Sequence, residues 1–267
     1  MKEKAWGFDI RAVWQLALSV WARHLVVFAA LSSLSYFGLK LLRGAKSVSA
    51  WVIPEREPWT TAGILLLLVL VWVAVHGFVT LLIIGHFRHF SRAGRPVFTE
   101  VFAEARRCWG RYVQAVLVLL ALAVFGLSLS LALVEAGRML YEADRSNLTG
   151  LVATHLAAVL FIIALGWYGL YFSLGPLVGA YENKGPVAAF RHSRRRIRGR
   201  AAGYMLALGL FVLGYLALGL TLYFGLAALG VGHGALAWID PVMLVLFSPL
   251  WIAVWYASYD HLTQLKK

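Results

Sequence analysis

Gly63–Ile84 reads GILLLLVLVWVAVHGFVTLLII, 22 residues without an Asp, Glu, Lys or Arg. As a helix it is about 33 Å long, at 1.5 Å per residue. The hydrocarbon core of a bilayer is about 30 Å thick, and about 20 apolar residues cross it. Lipid offers no water to backbone N–H and C=O groups, so the segment must satisfy them internally, as a helix does. A strand of a membrane barrel would instead alternate apolar and polar residues over about ten positions. This run does not alternate, and it sets the class as a helix that spans a membrane.

Five further stretches share the pattern. With the first, they are roughly His24–Leu42, Thr61–Gly85, Tyr112–Val134, Leu151–Tyr181, Gly203–Val231 and Pro241–Tyr259. The chain is 61% hydrophobic and only 14% charged, against roughly 45–50% and about 25% in soluble domains. The expected fold is an all-α polytopic membrane protein with six transmembrane helices, a single membrane domain over residues 1–267. The fourth and fifth stretches exceed what a bilayer needs, which predicts tilt, protruding ends or a kink near Gly175-Pro176. Ser248-Pro249 predicts a second kink, because proline removes a backbone hydrogen bond. Lys2 and Lys4 are followed by a Trp-rich amphipathic segment rather than the short apolar core of a cleavable signal. Cys108 is the one cysteine, which excludes an intrachain disulfide.

The net charge of +13 is unevenly placed. Of the 25 Lys and Arg, 19 lie in the segment up to and including Arg23, in Arg88–Arg111, in Lys184–Arg200 and at the C-terminus. The other six are Lys40, Arg43, Lys46, Arg56, Arg138 and Arg145. The positive-inside rule places the first set, with both termini, in the cytoplasm. The acidic residues divide equally, so the excess positive charge belongs to one face. A soluble protein this basic would suggest nucleic acid. Here anionic lipid is the nearer partner, and no nucleic acid is expected.

An offset of 88 residues relates three parts of the chain. Ile10, Val13, Trp14, Ala17 and Trp21 map onto Phe98, Val101, Phe102, Ala105 and Trp109, and again onto Pro186, Ala189, Phe190, Ser193 and Ile197. The spacing is one face of a helix. Trp167, Tyr168 and Tyr171 map in the same way onto Trp255, Tyr256 and Tyr259. The second stretch lacks these aromatics. The expected plan is three parallel repeats, approximately 8–90, 96–182 and 184–264, each an amphipathic helix followed by a hairpin of two spans. They are not the inverted repeats common in transporters.

The amphipathic helices suit the interface plane. Trp14, Trp21 and Trp109 are candidate interfacial anchors, because an amphipathic ring is favoured at headgroup level. In the third helix Arg191, Arg194, Arg195 and Arg198 fall at i, i+3, i+4 and i+7, with Arg196 and Arg200 beside them. Each contributes about 1 kcal/mol near an anionic surface, and a guanidinium grips phosphate bidentately. These four are candidate ligands for a lipid or other phosphate; the plainer reading is that they only set topology.

The stretch Pro176-Leu177-Val178-Gly179-Ala180-Tyr181-Glu182-Asn183-Lys184-Gly185-Pro186-Val187-Ala188-Ala189-Phe190-Arg191-His192-Ser193 ends a span with an acidic-Asn-Lys-Gly turn, then an Ala-x-x-x-Ser helix and a basic run. It resembles the signature of a broad group of six-span bacterial membrane proteins. That group includes the membrane domain of some glycerophosphodiester phosphodiesterases and related uncharacterised families. The motif covers about 25 residues, and the helix plan is similar throughout. The resemblance implies a location in the bacterial inner (plasma) membrane. It brings no catalytic residues, because the phosphodiesterase activity of such proteins belongs to a separate soluble domain.

Intramembrane ionisable groups are the usual pointer to transport or catalysis. His76 alone lies near the middle of a span. A neutral bond between helices suits it better than proton carriage, which needs several such groups in series. His155, Glu135, Asp240 and Asp260 sit at span boundaries. His86 and His89 are the closest metal-like pair, without a nearby Cys, and Glu182 is poorly spaced. Ser32, Ser33 and Ser35, like Ser128 and Ser130, suit close helix packing, as do Gly203, Gly209, Gly214, Gly219, Gly225, Gly230, Gly232 and Gly234. Asn147-Leu148-Thr149 is a sequon without meaning in a bacterial protein. The expectation is a non-enzymatic membrane protein, without cofactor or metal: a scaffold, assembly factor or partner subunit that contacts membrane lipids and a membrane protein partner. The alternative is a lipid or amphiphile transporter of flippase type that uses the Arg-rich helix.

Overall fold

The computed structural model describes residues 8–36, 58–144, 148–232, 236 and 238–265. Lys40, Arg43, Lys46, Arg56, Arg145, Asn147 and Gly234 lie outside them, as does the far end of the first predicted span. The described elements are helices: α1 (Ile10–Arg23), α2 (Leu25–Tyr36), α3 (Pro58–Ala93), α4 (Phe98–Ala143), α5 (Leu148–Phe172), α6 (Gly175–Glu182), α7 (Pro186–Ile197), α8 (Ala201–Ala228) and α9 (Ile239–Gln264). No strand occurs among the described residues. Among the described residues, five helical segments are long and apolar enough to cross a membrane: α3, α4, α5 with α6, α8 and α9. α1 and α2 together make a sixth if that pair, bent by 88°, is one span.

The helix ends follow local chemistry. Asp9 caps α1, its carboxylate accepting from the Ala12 N–H at 2.9 Å, which satisfies a donor that the first turn leaves free. α1 stops at His24, whose φ of −118° leaves the helical well. The predicted break near Gly175-Pro176 falls just before it, at Ser173-Leu174, and α6 begins at Gly175. Asn183 ends α6 in the left-handed conformation, φ 58°, which its short polar side chain tolerates. Pro186 then opens α7, where its missing N–H costs nothing. Gly199, at φ +83°, makes the turn into α8. α4 has no such break. Its 46 residues are one continuous α-helix, so the second amphipathic segment and the third predicted span are a single element.

The helices form two compact units: Met1–Val113 with Gly199–Lys267, and Gln114–Arg198. In the first unit α1 runs antiparallel along α9. The Asp9 N–H donates to His261 Nε2 at 3.0 Å, and Trp21 Nε1 donates to the Leu246 carbonyl at 2.9 Å. Val13, Ala17 and Val20 of α1 are fully buried. Phe28 of α2 and Leu81, Ile84 and Phe87 of α3 complete this core, and Phe87 meets Tyr256 of α9 edge-on at 5.5 Å. The start of α4 packs on α3, where Phe102 meets Phe78 at 5.4 Å. In the second unit α7 packs against α5 and α6. Phe190 lies on Gly175, where a Cβ would overlap the ring, and meets Phe172 at 5.6 Å.

Candidate functional site

Two polar clusters and one charged surface stand out from the apolar frame. Within the first unit, α2 presents His24 (its cap), Phe28, Ser32 and Ser35 along one face, at i, i+4, i+8 and i+11. His24 Nδ1 lies 3.2 Å from His86 Nε2. The Ser248 hydroxyl donates to Ser32 Oγ at 3.2 Å. Ser35 Oγ lies 2.5 Å from His76 Nδ1, and the His76 ring stacks on Trp72 at 5.1 Å. The mid-span histidine therefore has a hydroxyl partner on a neighbouring helix. Phe28 and Ile84, both fully buried, lie between the two histidine levels, so the seam is polar only at intervals.

His86 and His89, adjacent in sequence spacing, turn to different partners. His89 Nε2 lies 3.0 Å from Glu104 Oε2, and Arg88 pairs with the other oxygen of that carboxylate. These contacts fasten the start of α4 to the end of α3. Among the described residues no three His, Cys, Asp or Glu are arranged to hold a metal.

The second cluster is in the second unit, and sequence reasoning missed it. Glu182, at the end of α6, pairs with Arg196 of α7 and accepts from Lys184 Nζ at 2.9 Å. Lys184 Nζ also reaches His192 Nδ1 at 2.7 Å. The Arg196 side chain is only 7% exposed. A buried guanidinium needs an anion, and Glu182 supplies it. The two residues are 14 apart across the Asn183-Lys184-Gly185 turn, a spacing that joins them only once the hairpin is folded. Ser193 adds a hydrogen bond to the Tyr171 carbonyl at 2.6 Å.

Arg191, Arg194, Arg195 and Arg198 are all exposed, and among the described residues none of them makes an ion pair. The N–H of Arg198 still donates to the Arg194 carbonyl at 2.9 Å, so its Cβ keeps the helical register. The four sit opposite the docked face of Ala189, Phe190, Ser193, Arg196 and Ile197.

The candidate anchors Trp14, Trp21 and Trp109 share one geometry. Each indole N–H donates to a backbone carbonyl of a long apolar helix: Trp14 to Ala207 at 3.2 Å, Trp21 to Leu246 and Trp109 to Ala74, both at 2.9 Å. Leu246 lies inside α9, three residues before Pro249. Trp21 also stacks on Phe247 at 5.6 Å.

The chain matches no family model, no curated protein and no solved structure.

Function must therefore be read from surfaces. Between α8 and α9, within the first unit, lies an apolar cavity of about 320 Å³, lined by Leu222, Leu226, Trp238, Met243, Leu246 and Phe247. Beyond it α8 is bare. Only 6% of its most apolar stretch is buried within the chain, against 56% in α9 and 44% in α3. The glycines expected to bring helices close do so unevenly. A Cβ on Gly203 would lie 3.0 Å from Phe8, but at Gly209, Gly214, Gly219 and Gly225 a Cβ would touch nothing within 4 Å.

Proposed function

We propose that this protein is a non-enzymatic scaffold or partner subunit of the bacterial inner membrane, which holds another membrane protein against its bare helices. One observation carries the reading. α8 is a long apolar helix with small residues, yet only 6% of its most apolar stretch is buried among the described residues. Small residues let helix backbones approach closely in lipid, where packing and hydrogen bonds drive association. At Gly209, Gly214, Gly219 and Gly225 that capacity is unused by the described residues.

The topology belongs to the same proposal: six spans in three parallel repeats, with the basic loops and both termini cytoplasmic. A recurring contact supports the repeats. Each amphipathic segment lies on the return span of the repeat before it: Trp109 on α3, Ser193 on α5, and Trp21 of the first repeat on α9 of the last. The charge distribution supports the orientation.

The test is native mass spectrometry of the protein extracted from its own membrane in mild detergent, paired with Gly214→Phe. That position has open space at Cβ, so the variant keeps the chain's own packing while blocking close approach. A second polypeptide with the wild type, lost in the variant, supports the reading. Lipid-bound monomer in both overturns it. The cavity between α8 and α9 favours a second reading, an amphiphile handler. Retention of a lipid that Leu222→Trp expels would favour that reading.

A further inference from the structure

We propose that the exposed face of α7 is a binding site for phosphate on an anionic lipid headgroup, built to take two phosphates together. The run from Arg191 to Arg198 is not one uniform patch of charge. Arg196 is turned inward and bound to Glu182, and Lys184 completes the same half-buried cluster. The remaining four guanidinium groups point the other way. At about 100° per residue, the docked face and the Arg face lie on opposite sides of the helix.

The spacing sets the stoichiometry. Arg191 with Arg195, and Arg194 with Arg198, are two i, i+4 pairs, each with Cβ atoms about 5–6 Å apart. Two guanidinium groups at that separation close on one phosphate, each with two parallel N–H donors. Two such pairs side by side suit a headgroup with two phosphates. A residue that only sets topology needs no such alignment, nor freedom from ion pairs. Val187, one turn before Arg191, is 72% exposed. It extends the Arg stripe with an apolar contact, and α7 is seated on α5, which is apolar enough to cross a bilayer. That surrounding favours a lipid over a soluble phosphate.

The platform is rigid enough to present the pairs. Phe190 packs on Gly175, Ser193 bonds to the Tyr171 carbonyl, and Glu182 holds Arg196. None of these three contacts uses a guanidinium of the proposed site, so its arginines can be changed without undocking the helix.

The experiment is a native mass spectrometry titration of the detergent-solubilised full chain with cardiolipin, phosphatidylglycerol and phosphatidylcholine, which carry two phosphates, one phosphate, and one phosphate with a compensating cation. Cardiolipin is expected to bind about tenfold more tightly than phosphatidylglycerol, a difference of about 1.4 kcal/mol, with phosphatidylcholine weakest. The R194K/R198K variant keeps every charge but loses the planar fork, and is expected to lose most of that preference at an unchanged thermal midpoint. Equal binding of the three lipids overturns the proposal. So does a cardiolipin preference that survives both R194K/R198K and Arg→Gln at all four positions. Inorganic pyrophosphate at matched concentration is expected to leave the lipid in place, and complete displacement would assign the site to a soluble phosphate instead.

Discussion

Trp21 shows what a single residue contributes here. Its ring was visible in the sequence as part of an apolar stripe, but the stripe says nothing about where the indole N–H points. Trp21→Phe keeps the stacking on Phe247 and deletes only the donor to Leu246. The expected loss is about 1 kcal/mol, seen as a lower thermal midpoint in detergent, and an unchanged midpoint would show that the bond contributes nothing. Glu182 carries more. Glu182→Gln leaves Arg196 buried without its anion, which costs about 2–3 kcal/mol. That is less than for a fully enclosed pair, because the Glu182 side chain keeps 20% of its exposure. Adding Arg196→Met removes the stranded charge and is expected to recover part of the loss, the coupling a double-mutant cycle detects. If the two losses simply add, the pair is not a unit. Glu182 was hard to read in the sequence because its partner is not a helical neighbour.

At the scale of elements, the α6–α7 hairpin was largely legible. Gly175-Pro176, the Asn183 turn and Pro186 each mark an end by backbone chemistry that is local to the chain. What was not legible is how closely the two helices approach, since that depends on which side chain meets the glycine. Gly175→Leu is expected to push Phe190 off α6 and destabilise the hairpin by about 1–3 kcal/mol through overpacking. Cleavage by trypsin at the basic end of α7 should become faster, and an unchanged rate would mean that the ring contact is dispensable. α1 and α4 diverge for a reason of the same kind. α1 ends at His24, whereas α4 continues through Trp109-Gly110-Arg111-Tyr112 in spite of its glycine. Equivalent apolar positions in the proposed repeat did not guarantee equivalent breaks.

For the molecule as a whole, the decisive measurement is topology. In a Cys108→Ala background, a cysteine at position 195 is expected to be labelled from the cytoplasmic side only, and one at position 138 from the opposite side only. The reverse pattern would overturn the orientation and move the proposed phosphate site to the other leaflet. The sequence by itself determined that the chain is helical and apolar enough to span a membrane repeatedly, because lipid demands backbone pairing within each segment and long uncharged runs permit nothing else. It also confined most of the positive charge to a few segments, a property of composition that needs no fold. Only the tertiary structure decided which arginine of the run is buried and which four remain at the surface. It also decided which carbonyls the tryptophans reach, and that Gly209, Gly214, Gly219 and Gly225 of α8 face open space among the described residues. Those outcomes rest on contacts between residues far apart in the chain, and periodicity along one helix carries no information about the helix that lies across from it.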